Sequence, residues 1–362
     1  MEDVLCAQAL TQVQQQKKPR TFVKFRAMDV ARGNLLQLNH ERTALNVYHG
    51  TKPALASSSL PATYADDSSL NVINTHFERI LEPSFAYLVD LIDQKSSNAE
   101  ERANLYGLCY KRLVGALAFV QSPLCEKSLG QNIANGQIAV KKHSSQTVNW
   151  MKSLREQGYK LFVLSDAKLS HLDMVLQIAL GNKWKDMFDI VVADAKKSAF
   201  FSRESGNVKV MSAEEGLLVQ SAAKLSLVPT PRPRIIEGGS LATLQSAMNT
   251  STKGEEKKVV FFGDHLVKDV CNPTLVGWAT VGVFSEMDDL AERASKPSLT
   301  TLGGDIGCFA CFDGTDSLLT AKLVSSAALC LPSVQVAAAS QLFLKPNWHP
   351  RMAFPYVKQW RA

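Results

Sequence analysis

Three side chains with complementary chemistry follow predicted strands in the second half of the sequence. They are Ser165, Lys197 and Asp264. A hydroxyl can donate to a phosphate oxygen, a lysine can neutralise phosphate charge, and an aspartate can hold Mg²⁺ through oxygen. Open α/β sheets bind ligands outside the carboxyl ends of their strands. We therefore expect these three side chains to converge on one cleft, with their tips within about 10 Å of one another.

The elements that must position these residues alternate between strand and helix from residue 144 onward. Short apolar runs predict strands at residues 160–165, 188–193, 257–262 and 280–284. Ser145 is a plausible N-cap for a helix that ends near Gly158, and a second helix should run to about Leu180. Residues 203–233 contain three prolines near their end and read as irregular. This alternation predicts an α/β fold with a doubly wound parallel sheet.

The first half of the chain has a different character. Residues 1–21 are rich in Gln and Lys and are expected to be disordered. Residues 22–30 and 35–38 read as two strands joined by a tight turn at 32–34. Apolar spacing predicts helices over about 77–92 and 105–120.

Composition excludes several functional classes. The net charge of +6 permits an anionic ligand, but no dense basic stripe with interleaved aromatics argues for nucleic acid. No apolar run is long enough to cross a membrane, and the chain start lacks the apolar segment of a signal peptide. Seven scattered cysteines fit a reducing compartment, so we expect a cytoplasmic protein. Cys308 and Cys311 form a lone CxxC without evident zinc partners, and we interpret them as structural.

Three sequence motifs match a known pattern in the expected order. They read Leu-Phe-Val-Leu-Ser at 161–165, Asp-Ala-Lys-Lys-Ser-Ala-Phe-Phe at 194–201 and Phe-Gly-Asp-His-Leu-Val-Lys-Asp at 262–269. In this order they resemble the second, third and fourth motifs of the haloacid dehalogenase superfamily, of the cytosolic purine 5′-nucleotidase type. The resemblance implies hydrolysis of the 5′-phosphate of a nucleoside monophosphate. It also implies that Ser165 and Lys197 bind phosphate, that Asp264 coordinates Mg²⁺ and that Asp269 supports the site.

The resemblance extends upstream. Residues 27–36 and 48–52 are similar to a hairpin and a His-Gly segment of the 5′-nucleotidase domain-containing proteins. Residues 74–77 align with a segment that contacts the nucleobase in purine nucleotidases, which implies substrate-binding roles for Asn74 and Phe77. Gly239 and Ser240 resemble a loop and helix start of the same family. His49 is instead expected to satisfy a local hydrogen bond.

One departure from the family pattern matters as much as the matches. These enzymes attack phosphate with the first Asp of an Asp-x-Asp motif, and this sequence contains no Asp-x-Asp. The chain is therefore expected to begin after the nucleophile and to lack the first core strand. In the superfamily that strand lies between those bearing the second and fourth motifs. Its loss should leave unpaired strand edges inside the sheet.

Two hypotheses of different class remain open. The first is a Mg²⁺-dependent 5′-nucleotidase whose nucleophile comes from outside this chain. The second is a non-catalytic nucleotide- or phosphate-binding or assembly protein on a degenerate core. Both expect a small phosphate ester as ligand, with no nucleic acid or membrane partner, and both permit a homo-oligomer. The predicted organisation is a disordered leader at 1–21, a cap-like segment at 22–143, a phosphatase core at 144–295 and a tail at 296–362.

Overall fold

The computed structural model groups the chain into two compact units. The first comprises Met1–Ser122, Asp264–Val267 and Phe284–Ser326, and the second comprises Pro123–Gly263, Lys268–Val283 and Ala327–Ala362. Within them the structure describes residues 2–15, 27–39, 41–54, 64, 70–75, 77–120, 131–132, 135, 143–202, 208–211, 216–219, 234–248, 259–284, 318–331 and 333–341.

The first unit contains a five-stranded antiparallel sheet. Its strands are β1 (Ala27–Asp29), β2 (Asn34–Leu38), β3 (Ala44–His49), β4 (Lys52–Ala54) and β5 (Leu70–Val72), in the order β4-β3-β2-β1-β5. The predicted hairpin is confirmed, since Met28 pairs with Leu35. The buried Asp29 carboxylate holds the hairpin turn by accepting from the main chain and the guanidinium of Arg32. Residues 22–26 of the predicted first strand lie outside the described residues.

Helices α1 (Glu2–Gln15), α2 (Leu81–Lys95) and α3 (Ala99–Val120) pack together in the same unit. The helices predicted over about 77–92 and 105–120 are confirmed as α2 and α3, and a 3₁₀ turn at Phe77–Ile80 precedes α2. The expected disorder of residues 1–21 is wrong for Glu2–Gln15. Leu5 and Ala9 are four residues apart and both fully buried, so α1 has an apolar stripe that its Gln-rich composition conceals.

The second unit contains a five-stranded mixed sheet with the order β6-β7-β10-β8-β9. Its strands are β6 (Phe162–Leu164), β7 (Ile190–Ala193), β8 (Val208–Met211), β9 (Gly216–Val219) and β10 (Arg234–Gly238). Strands β6, β7 and β10 run parallel, and every residue of β7 is buried, as its continuous apolar run predicts. The prediction that residues 203–233 are irregular is wrong at β8 and β9, which form an antiparallel pair.

The helices connecting these strands are α4 (Ser145–Glu156), α5 (Leu169–Leu180), α6 (Lys197–Phe200) and α7 (Leu241–Ala247). Helix α5 follows β6, α6 follows β7 and α7 follows β10, which is the predicted alternation of strand and helix. The N-cap of α4 is Ser144 rather than Ser145, because the Ser144 side chain accepts from the Thr147 amide. The boundary therefore differs from the prediction by one residue.

A second, three-stranded parallel sheet consists of β11 (Val260–Gly263), β12 (Ala279–Val283) and β13 (Leu329–Leu331). Helices α8 (Asn272–Leu275), α9 (Leu318–Ser326) and α10 (Val334–Ala339) accompany these strands along the chain. Strand β13 lies in what the sequence presents as a C-terminal tail beginning at 296. It pairs with β12, so part of that tail completes a core sheet.

The parallel strands do not form the single sheet expected of a doubly wound fold. Among the described residues, β6 and β11 are each an edge strand, and both line a cavity of about 620 Å³. Phe162 of β6 and Phe261 of β11 stack with their ring centroids 6.2 Å apart. The expectation that a core strand between the second and fourth motifs is missing stays a prediction.

The main chain of both edges points into this cavity at alternate residues. The Ser165 amide donates to the Val192 carbonyl of β7. Successive residues of a strand direct their main-chain groups to alternate sides, so those of the preceding Leu164 point away from β7. Val260 is oriented likewise, because the neighbouring Val259 carbonyl accepts from Ala279, the first residue of β12. Among the helices that the structure describes, none is both long enough and apolar enough to cross a bilayer.

Candidate functional site

Ser165 lies immediately beyond the carboxyl end of β6. Its carbonyl accepts the amide of Ala195, which fixes it beside the loop that follows β7. Its Oγ accepts the Ala167 amide at 3.1 Å. A hydroxyl that accepts in this way keeps its own O–H to donate, so Ser165 can bind an anionic oxygen at this edge.

Lys197 begins the short helix α6 after a strained turn. Asp194 and Lys196 have φ values of 47° and 57°, in the left-handed region that side chains with a Cβ rarely adopt. Two contacts stabilise this turn. The Asp194 amide donates to the Ala167 carbonyl, and the Lys197 amide donates to Oδ1 of Asp166 at 2.6 Å. The loops after β6 and β7 are thereby joined, and Lys197 has a fixed position.

The Lys197 ammonium forms a buried ion pair with Asp269. Its Nζ lies 2.6 Å from Oδ1 of Asp269, and the two side chains are only 14% and 3% exposed. Asp269 lies in the π-helical turn Leu266–Cys271 that follows β11. The third and fourth sequence motifs therefore meet at this ion pair.

Asp269 reaches Lys197 by packing directly against Gly263. A Cβ built on Gly263 would lie 2.3 Å from the Cβ of Asp269. Position 263 requires glycine, because the Asp269 side chain occupies the space that a Cβ would need.

We expect Gly263→Ala to displace Asp269 and to lower the free energy of unfolding by about 1–3 kcal/mol. The matched control is Gly107→Ala, because a Cβ at Gly107 in α3 meets nothing within 4 Å. That change should raise the stability by about 0.5–1 kcal/mol. Urea unfolding of both variants checks this. Equal stability of the two alanine variants would contradict the packing account.

Two residues that the sequence reasoning missed complete the cluster. Asp166 accepts the Lys197 amide through one oxygen and pairs with Nζ of Lys268 at 3.2 Å through the other. Both are about one third exposed. The only signal was position, since Asp166 follows Ser165 and Lys268 precedes Asp269. The cluster thus contains two ammonium and two carboxylate groups.

The remaining predicted site residues lie at several places. Asp264 is exposed and directly follows β11, as predicted. Its convergence with Ser165 and Lys197 stays a prediction. Ser240 is the fully buried N-cap of α7, and it exchanges hydrogen bonds with Thr243. Gly239 has a φ of 91° and closely approaches Thr243, so both residues form the predicted helix start.

The two proposed nucleobase contacts belong to the first unit. The Asn74 amide group donates to the Val72 carbonyl, and its main-chain N–H donates to Glu78. Phe77 is 46% exposed at the start of the 3₁₀ turn. In the same unit His49 contacts Asn34 and Asp93 through its two ring nitrogens, at 2.9 and 2.8 Å. Its expected role in local hydrogen bonding is confirmed.

The α/β units carry the motif residues at their strand ends, and comparison with known proteins identifies the family to which the chain belongs. The model of the 5′ nucleotidase family matches residues 14–301, so the chain belongs to that family. The resemblance inferred from the motifs is confirmed.

Three relatives illustrate the similarity. The chain is 23% identical over 300 residues to 5′-nucleotidase domain-containing protein 1 of Homo sapiens, covering 75% of this chain and 62% of the relative. It is 26% identical over 151 residues to the Bos taurus protein of the same name, covering 41% and 31%. It is 24% identical over 144 residues to 5′-nucleotidase domain-containing protein 2 of Homo sapiens, covering 40% and 26%. The chain thus spans less than two thirds of the length of these relatives.

Proposed function

We propose that the protein binds the 5′-phosphate of a nucleoside monophosphate at Ser165 and Lys197, and that the complete family form hydrolyses it. Membership of the 5′ nucleotidase family supports this substrate class. The observation that carries the proposal is the buried Lys197–Asp269 ion pair, which fixes an ammonium group near the ends of the motif strands. A bound phosphate oxygen would accept a hydrogen bond from the Lys197 ammonium, either together with Asp269 or in its place. The Ser165 O–H would donate to a second phosphate oxygen.

Hydrolysis in this family class requires a carboxylate nucleophile. A carboxylate oxygen bonds to phosphorus as the bond to the nucleoside 5′-oxygen breaks, and the departing oxygen takes up a proton. Water then cleaves the acyl phosphate. Because the sequence contains no Asp-x-Asp, we propose that this carboxylate comes from outside this chain.

The cavity between β6 and β11 supports this view of the missing nucleophile. A strand inserted there, parallel to β6, would end beside Leu164 and Ser165. A carboxylate at its end would then reach the phosphate that Ser165 and Lys197 hold.

The carboxylates of the Lys197 cluster, Asp166 and Asp269, fit a magnesium ion poorly. Asp269 is paired with Lys197 and Asp166 with Lys268. Within the ranges that the structure describes, no three His, Cys, Asp or Glu side chains are grouped to hold a metal. Mg²⁺ usually needs one or two carboxylates together with phosphate oxygens. We therefore assign Asp264 as a magnesium ligand only for a site completed by the absent motif.

A second candidate function follows from the same observations. With its lysines already neutralised by aspartates and its nucleophile absent, this polypeptide can act as a nucleotide-binding or assembly protein without turnover. The two candidates agree on phosphate binding and differ on catalysis.

Calorimetric titration with inosine monophosphate and with inosine tests the shared proposal. We expect the monophosphate to bind at least about tenfold more tightly, since a charge-assisted hydrogen bond to an ammonium contributes about 1.5–3 kcal/mol. The Ser165→Ala variant should bind the monophosphate more weakly and inosine unchanged. Equal affinity for the two ligands would contradict a phosphate-directed site.

A further inference from the structure

Two buried cysteines of the first unit lie against each other, away from the candidate site. Cys6 on α1 is 8% exposed, and Cys109 on α3 is fully buried. The Sγ of Cys6 lies 3.6 Å from the Cys109 carbonyl oxygen, so the two residues are in direct contact. Both are free thiols, and the proposed function uses neither.

The surroundings make the two sulfurs chemically unequal. The neighbouring Cys109 side chain lowers the pKa of Cys6, with help from the nearby Arg112 and against the effect of burial, Asp3 and Glu2. The neighbouring Cys6 side chain and burial raise the pKa of Cys109. Cys6 is also the sulfur nearer the surface, so an oxidant reaches it before the fully buried Cys109.

We propose that Cys6 and Cys109 form a redox-responsive pair, which a peroxide converts into a disulfide that joins α1 to α3. In the reducing compartment that the cysteine pattern predicts, the thiol form would be the resting state.

The chemistry balances with hydrogen peroxide as the oxidant. The Cys6 thiolate attacks one peroxide oxygen and the O–O bond breaks, giving a sulfenic acid on Cys6 and a hydroxide that is protonated to water. The Cys109 sulfur then attacks the Cys6 sulfur. The S–O bond breaks, the Cys109 proton leaves with that oxygen, and a second water forms. Two thiols lose two electrons in total, and one peroxide becomes two waters.

The disulfide would change the freedom of α1. This helix packs on α2 and α3 and buries Leu5 and Ala9 between them. A bond between residues 103 apart in sequence closes a long loop and restricts the unfolded chain strongly. Oxidation should therefore slow local opening of α1 and stabilise the first unit.

The test treats the full chain with hydrogen peroxide, quenches it with acid, alkylates the remaining thiols and maps the peptides without reduction. We expect a Cys6–Cys109 peptide lighter by two hydrogen atoms, which dithiothreitol reverses. Hydrogen exchange of the α1 amides should slow at least tenfold, and Tm should rise by on the order of 5 °C. The Cys308→Ser/Cys311→Ser variant, which lacks the CxxC pair, should behave identically.

Matched variants separate the pair from other thiols. Cys109→Ser should leave Cys6 as a sulfenic acid that dimedone traps, whereas Cys271→Ser should leave the cross-link intact. Full alkylation of Cys6 and Cys109 after peroxide would overturn the proposal. A cross-link that forms only in denaturant would also overturn it. Both of these outcomes can be measured on the wild-type chain without any variant.

Discussion

No Mg²⁺-dependent release of phosphate from inosine or guanosine monophosphate is expected from the 362-residue chain. Without an Asp-x-Asp carboxylate, the reaction cannot pass through an aspartyl-phosphate. In the proposed role, Ser165 and Lys197 would contact phosphate alike in the ground state and in the transition state, so their binding would accelerate the reaction little. Asp264 is expected to face a metal rather than phosphorus and is a poor replacement.

The assay compares the chain with its Asp264→Asn variant, and both should stay at background. Adding an upstream segment that contains Asp-x-Asp is expected to produce activity. Robust turnover by the chain that Asp264→Asn abolishes would show that another carboxylate serves as nucleophile.

Replacing Lys197 with methionine is expected to lower the free energy of unfolding by about 3 kcal/mol. The ammonium is the near neighbour of a carboxylate that is only 3% exposed, at 2.6 Å. Removing it leaves the Asp269 charge in a poorly solvated position without this cation. Urea unfolding at neutral pH measures the loss.

Two controls distinguish charge burial from a simple loss of packing. Lys196→Met removes a lysine that also lies 2.6 Å from an aspartate, Asp194, but is 63% exposed, so the loss should stay below about 1 kcal/mol. The double variant Lys197→Met/Asp269→Leu should recover most of the stability, because it removes both buried charges. If the double variant were as unstable as Lys197→Met, the loss of stability would come from altered side-chain packing and not from the unpaired buried charge.

Much of the second unit was predictable because its signals are local. The buried strand β7 is a continuous apolar run, and Gly238 and Gly239 with Ser240 mark the start of α7 through backbone conformation and capping. The motif residues Ser165 and Asp264 follow β6 and β11 as their spacing indicates.

The remainder depended on contacts between distant segments. Strand β13 has only three residues, and its pairing with β12 defines it. Asp166 is marked in the sequence only by its place directly after Ser165. It acquires its role by accepting from Lys197, 31 residues away, and from Lys268, 102 residues away. Composition alone does not predict helix α1, because its packing depends on the four-residue spacing of Leu5 and Ala9.

The central claim is that the Lys197 ammonium binds the phosphate of a nucleoside monophosphate. The most direct test is the affinity of inosine monophosphate for the wild-type chain and for Lys197→Met/Asp269→Leu, which should remain folded. Our account predicts that the double variant binds the monophosphate at least about tenfold more weakly, in keeping with the loss of one charge-assisted contact. Its affinity for inosine should equal that of the wild type. Undiminished binding of the monophosphate by a folded double variant would contradict the account.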